Sequence, residues 1–242
     1  MSRSICFAAG VTVLRAQEQE GASARPLGGR VIFLPHWPII LPGMVFRLVP
    51  ALLASLSALW LALGASATPA ADMMGRDLLD AALNARNSAG DVVRNDRYMV
   101  VIDFRLHSSV PRFYLVDLSD ETALAFLTAH GRGSDPDHDG MADRFSNTNN
   151  SKMTSLGRFV TGETYYGRHG LSLRMRGLDP SNNNAEARAI VIHGAAYVSP
   201  DRTVLGRSWG CPALETQVAL KLIPQIANGV FVYAVGTQAG AS

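Results

Sequence analysis

Cys211 and His193 are the two residues whose types support covalent chemistry. A thiol becomes a strong nucleophile once a neighbouring base takes its proton, and an imidazole is the side chain best suited to do so near neutral pH. His193 closes an apolar run, Ala189-Ile-Val-Ile-His193-Gly194, that reads as a strand delivering the imidazole at its end. A strand end leaves little backbone freedom, so the ring can be aimed. Cys211 lies in Gly206-Arg-Ser-Trp-Gly-Cys-Pro-Ala213, a glycine-containing turn followed by apolar residues at helical spacing. A helix starting there would place partial positive charge and free N–H groups at the thiol, favouring thiolate and a developing oxyanion. A free thiol titrates near ~8.5 and an imidazole partner can lower that by several units, so a thiolate–imidazolium pair is expected. Spacing alone is weak support, because His130-Gly131 and His169-Gly170 repeat the same dipeptide.

Cysteine usage strengthens the reading. Of two cysteines, Cys6 lies upstream of an uncharged apolar run, Leu48–Leu63, which follows Arg47 and ends near Ala65-Ser66-Ala67. A charged start, a short apolar core and small residues at the cleavage positions make a secretory signal peptide over residues 44–67. The competing reading is an uncleaved membrane anchor, in which case that segment is the chain's one contact with a bilayer. Residues 1–43 show no pattern and read as an upstream extension from a start codon placed too early, with Met44 the natural start. The exported domain, 68–242, then holds one cysteine and no internal disulfide. An unpaired thiol in an oxidising compartment needs a reason; catalysis is one, and burial as an inert apolar side chain is the other. From Thr68 onward there are 17 Lys and Arg against 18 Asp and Glu, so the basic balance of the whole chain belongs to the leader. No basic face is implied, and nucleic acid is not an expected partner.

The elements that must position these residues are mostly strands. Asp72–Ser88 has helical spacing through Leu78, Leu79, Ala82 and Leu83. Tyr98–Phe104, Arg112–Leu118 and Thr122–Thr128 read as strands, the last two as a hairpin across Ser119-Asp120. Gly131–Lys152 is a polar loop. Strands resume at Gly157–Thr164, Leu171–Arg176 and Ala189–Ile192. An amphipathic helix is expected over Leu214–Ala227, and Val230–Val235 closes the chain as a strand. The class is mainly β (α+β), one domain.

Within the loop, Asp135, Asp137, Asp139 and Asp143 have the spacing of a calcium loop with Gly140 at its sixth position. Position twelve is Ser146 rather than Glu and no flanking helices are evident, so a solvated acidic loop is the alternative. Ser146, Asn147 and Ser151 are candidates for the cleft wall, as are Tyr165, Tyr166 and Tyr197, with surface loop and core as their plainer readings.

The motifs together resemble the L,D-transpeptidases of the YkuD-like fold, which carry His-Gly at a strand end, a variable loop and then Ser/Thr-His-Gly-Cys. Closest is the branch called murein L,D-transpeptidase catalytic domain family proteins. The likeness runs from Tyr98 to Tyr233 through Phe145-Ser-Asn-Thr-Asn-Asn-Ser151, Ser155-Leu-Gly-Arg-Phe-Val-Thr-Gly-Glu-Thr-Tyr165, Arg188-Ala-Ile-Val-Ile-His-Gly194, Tyr197-Val-Ser-Pro200 and Gly206–Ala213. The resemblance implies a mixed β-sandwich with a helix before and a helix after the cysteine turn. It implies Cys211 as nucleophile, His193 as base, and a catalytic turn containing Ser208 and Gly210. Backbone N–H groups around Trp209, Gly210 and Cys211 would hold the oxyanion. Substrate contacts would come from Gly194, Trp209, Arg207, Tyr197 and Ser155. The substrates would be peptidoglycan stem peptides, with no metal or organic cofactor. Trp209 stands where the broad family has a second histidine, and Pro212-Ala213 follow where many members have an arginine. Arg207, Arg188 or Arg174 would then anchor the substrate, and the acceptor is left open. Hydrolysis on the same scaffold, or a non-catalytic wall-binding module, are the rival functions. A papain-like protease is disfavoured because its cysteine precedes its histidine.

Overall fold

Runs rich in Val, Ile, Phe and Tyr find partners in a single ten-stranded mixed sheet, and this sheet organises the domain. The computed structural model describes residues 68–239; the leader and the residues before it lie outside the described residues. In chain order the elements are β1 (Thr68–Pro69), α1 (Ala70–Met74), α2 (Arg76–Asn87), β2 (Tyr98–Asp103), β3 (Phe113–Asp117), β4 (Thr122–Phe126) and β5 (Thr128–Ala129). They continue with β6 (Gly157–Gly167), β7 (Gly170–Gly177), β8 (Val191–Gly194), β9 (Ala213–Leu214), α3 (Thr216–Leu222) and β10 (Phe231–Val235). The order across the sheet is β1-β4-β3-β2-β10-β6-β7-β8-β9-β5. The last strand in the chain is thus central, parallel to β2 and antiparallel to β6.

Only Leu127 separates β4, near one edge, from β5, at the other. One residue cannot span a flat sheet of this width, so the sheet must curl until its two ends meet. The sandwich expected from the resemblance is therefore one sheet folded over its own core. Side chains alternate between faces along each strand. Val100, Ile102, Phe113, Leu115 and Val232 point inward with Phe159, Leu173, Ile192 and the apolar side of α3. Their neighbours Met99, Val101, Tyr114, Val116 and Phe231 pack on Leu78, Leu79 and Ala82 of α2. The same strands are buried on both faces, which is why they read as near-continuous apolar runs.

Three expected elements differ. The first helix is broken at Gly75, whose φ of 85° ends α1 before α2 begins. Thr122–Thr128 is two strands serving opposite ends of the sheet. The helix placed over Leu214–Ala227 is only Thr216–Leu222. Its start is drawn into β9 by pairing with β8 and β5. Its end stops short of Pro224, which has no N–H to continue the ladder. Ile223 and Ile226 stay buried nonetheless, so the apolar spacing reflects burial without a continuing helix. Among the described residues no helix is long and apolar enough to cross a membrane.

Ile192 is fully buried in the strand that carries His193. Ile192→Ala is expected to destabilise the domain by about 2–5 kcal/mol, because the surrounding sheet cannot collapse into the space left. Urea unfolding of the variant beside the unaltered protein measures this, and an unchanged midpoint would contradict the packing described.

Candidate active site

His193 is held by pairing on both sides: opposite Ser172 of β7 and opposite Ala213 of β9. It is 1% exposed. Its Nδ1 lies 2.9 Å from the Gly194 carbonyl oxygen. A carbonyl can only accept, so Nδ1 carries the hydrogen and Nε2 keeps its lone pair. Burial lowers the pKa of His193; the Gly194 bond opposes this, and electrostatic repulsion from His169 adds to it. The histidine is a neutral base with one defined free nitrogen.

The β8–β9 register also places the thiol. With Ala213 opposite His193, Cys211 two residues earlier comes beside Val191, whose N–H bonds its sulfur. Cys211 and His193 line one cleft of about 370 Å³ with Tyr197, Arg207, Ser208 and Trp209. The thiol donates to the Ala189 carbonyl at 3.7 Å. Burial raises its pKa, against smaller opposing effects of the Val191 N–H and the Arg188 charge. The two shifts move apart, and burial thus favours a neutral thiol beside a neutral imidazole over the thiolate–imidazolium pair expected from the sequence. The reason is geometric as well: α3 begins at Thr216, with Pro212–Glu215 between it and the thiol, so the helix end does not serve Cys211.

The cysteine turn is built by Ser208 and Gly210. Ser208 Oγ lies 2.7 Å from the Cys211 carbonyl oxygen and 3.2 Å from that of His130, and accepts the Gly210 N–H at 3.0 Å. Gly210 has φ of 120°, and a Cβ there would sit 2.6 Å from the Met153 carbonyl oxygen. Glycine is required on both counts. The Gly210 N–H is therefore spent on Ser208. Among the described residues, the Trp209 and Cys211 N–H groups have no protein partner and are the donors left for an oxyanion.

Beneath the turn lies a polar group that the sequence reading missed. Arg112 is fully buried and donates to the Thr128 and Leu106 carbonyls and to His130 Nδ1 at 2.7 Å. His130 Nε2 donates to Asp135 Oδ2 at 3.0 Å. The His130 carbonyl accepts the Ser208 N–H at 2.9 Å, tying this relay to the catalytic turn. Burial, and next the Arg112 charge, lower the His130 pKa to about 4. Burial also lowers that of Arg112 to about 9. Asp135 keeps a lowered pKa: burial opposes ionisation, but His130 and the Gly140 and Asp139 N–H groups outweigh it. His130 had been visible only as one of three His-Gly dipeptides, and Asp135 only as the head of an acidic repeat.

The structure sorts the remaining candidates. Trp209 is 64% exposed at the cleft rim, with the Lys152 ammonium 4.9 Å from its ring centre. Arg207 lines the cleft while donating to the Asp135 carbonyl. Tyr197 lines it too, its phenol pushed up to about 12 by burial. Ser155 is 3% exposed and not on the cleft wall; its hydroxyl donates to the Ser146 carbonyl at 3.0 Å and accepts from Arg188 at 2.6 Å. It builds the loop and does not face substrate, a correction to its expected role. Gly194 likewise lies behind the wall, where a Cβ would come 3.0 Å from Thr216 Cα. Asn147 clasps Pro180 and Asn183 instead of the cleft. Arg188 is a clamp, donating to the Ser146 and Met153 carbonyls and to Ser151 and Ser155. Arg174 pairs with Glu163. Asp135, Asp137 and Asp139 approach one another, but Asp143 is not with them, and Asp135 is committed to His130 and to backbone N–H groups.

Residues 70–235, from α1 to the end of β10, match a known family model, the L,D-transpeptidase catalytic domain, and the chain belongs to that family. No curated protein matches it. Similar solved structures include an L,D-transpeptidase from Mycobacterium smegmatis at 12% identity, covering 57% of this chain and 58% of that one with a TM-score of 0.37. Another, from Mycobacterium tuberculosis H37Rv, is 13% identical over 57% of each chain with a TM-score of 0.39. A third, from Stackebrandtia nassauensis, is 14% identical over 67% of this chain and 68% of that one, with a TM-score of 0.36. The match thus spans under three fifths of the length of the two mycobacterial chains.

Two outcomes follow from the buried relay and the turn. An unfolded chain protonates a histidine near ~6.5, while folded His130 stays neutral down to about 4. The stability it contributes is complete above ~6.5 and is lost as pH falls toward 4, on the order of 3 kcal/mol in all. Unfolding midpoints measured from pH 7 to 4 should show this loss, and His130→Gln should flatten the slope; an equal slope in both would refute the assignment. Gly210→Ala is expected to displace the thiol and slow its acylation by at least ~10-fold, since a misplaced reacting atom alone can cost that much. Intact-mass kinetics with an acylating probe reads the difference.

Proposed function

We propose that the protein is an exported L,D-transpeptidase acting on peptidoglycan stem peptides, with Cys211 as nucleophile and His193 as base. The observation that carries this is one cleft holding both residues in a chain that matches the family over residues 70–235. The apolar segment Leu48–Leu63 supplies the export signal in this reading, and the envelope is its place of action.

The donor is a stem tetrapeptide with a bond between an L-centre and D-Ala. His193 Nε2 takes the thiol proton as Sγ attacks the carbonyl, because the neutral resting pair needs no prior ionisation. The oxyanion is met by the Trp209 and Cys211 N–H groups; one such donor is worth roughly 3–4 kcal/mol in comparable sites. Collapse breaks the C–N bond, and His193 returns the proton to the departing D-Ala amine, leaving a thioester. A side-chain amine of a neighbouring stem then attacks, gives its proton to His193, and expels the Cys211 sulfur, which is reprotonated. Arg188, whose charge favours the thiolate, steadies the sulfur in both halves. Trp209, Arg207 and Tyr197 bound the substrate on the cleft wall.

Incubation with purified tetrapeptide muropeptides, read by mass spectrometry, should give cross-linked dimers with release of D-Ala. Cys211→Ala should abolish the product, and His193→Ala should lower the rate by about 10²–10⁴-fold. Trimmed tripeptide without dimer would assign water as the acceptor. No consumption of substrate, with Cys211 unreactive toward acylating probes, would sink the enzymatic reading.

A further inference from the structure

His193 has a second neighbour that neither its strand nor its family motif accounts for. The imidazole of His169 lies stacked on it, with ring centres 4.3 Å apart and planes 24° from parallel. His169 sits in the turn between β6 and β7, and β7 in turn pairs with β8 through Ser172 and His193. The hairpin therefore doubles back to lay its tip over the very residue its next strand helps hold. The turn is bracketed by Gly167 and Gly170, the latter at φ of 73°. The tip is exposed, and His169 lines the catalytic cleft.

We propose that His169 is a positioning residue for the catalytic base, fixing the plane of the His193 ring and shielding its outer face from water. Beside the packing around this buried side chain, the imidazole makes one hydrogen bond among the described residues, from Nδ1 to the Gly194 carbonyl. That bond holds one edge of the ring, and a flat partner stacked on one face adds a restraint on its plane. A base held within a narrow range of orientations keeps its free nitrogen on the line to the thiol, where small errors are costly. The second effect is electrostatic: repulsion from His169 helps keep His193 unprotonated, as a base must be. The other titratable or charged groups lining the cleft around the pair are Tyr165, Arg168, Arg188, Tyr197, Arg207 and Cys211.

The idea rests on His193 serving as the base in the function proposed above, but its test does not need peptidoglycan. Acylation of Cys211 by p-nitrophenyl acetate is followed by p-nitrophenolate release and intact mass, using the purified protein, His169→Ala and His169→Phe. In parallel the His193 ring resonances are titrated by NMR. His169→Phe keeps a flat ring and should stay within about 3-fold of the unaltered rate, while His169→Ala should lose roughly 10-fold or more, a fraction of what a positioned base contributes. The His193 pKa should rise in both variants, more in His169→Ala, whose ring is also opened to water. Thermal melting checks that both fold; the exposed tip makes this the expected result. Equal rates for all three proteins, or a slow His169→Ala with an unmoved His193 titration, would overturn the proposal.

Discussion

Two residues of parallel pairing, His193 with Ala213 and Gly194 with Leu214, govern the cleft that holds Cys211 and His193. They bring a segment from late in the chain against a strand twenty residues earlier and so carry the thiol to the cleft that holds the imidazole. The same short strand, β9, also pairs with β5, which closes the curled sheet. Cys211 is thus positioned by the seam at which the sheet meets itself. Its location is a property of the whole fold, because every strand from β4 round to β9 helps decide where that seam falls.

The seam is polar underneath. Arg112, His130 and Asp135 form a buried chain that begins at the Thr128 carbonyl of β5 and passes by way of the His130 main chain to Ser208. Burying ionised groups is costly unless each is bonded, and here both nitrogens of the histidine and both oxygens of the aspartate are engaged. The acidic loop acquires a structural role from this. Its first carboxylate faces inward, and its backbone receives Arg207, so the loop braces the turn that carries the nucleophile.

The opposed pKa shifts at the site have one cause. Burial disfavours charge, which raises a thiol and lowers an imidazole. A neutral pair avoids the cost of desolvating an ion pair. Arg188 is the cation nearest in effect to the sulfur. Its guanidinium is bound to four oxygens of the 146–155 segment, so its charge is fixed in place by the polar loop that the sequence presented as a cleft wall.

By itself the sequence singled out Cys211 and His193 as the chemistry-bearing pair, and gave the dominance of strands. These follow from residue chemistry and from alternation along single segments, both of which are local. The family resemblance also put Trp209, Arg207 and Tyr197 at the cleft, which all three line. What only the tertiary structure decided involves partners distant in sequence. Leu127 divides one apparent strand because the sheet curls; Leu214 leaves the expected helix because β5 and β8 claim it. Ser155 turns inward because Arg188 needs an acceptor. His169 reaches His193 because a hairpin of two long strands folds back across its neighbour. Pro224 had announced the early end of α3 all along, since that signal is local. The helix dipole offered to the thiol disappeared for the opposite reason: whether a turn leads into a helix or a strand depends on what lies beside it.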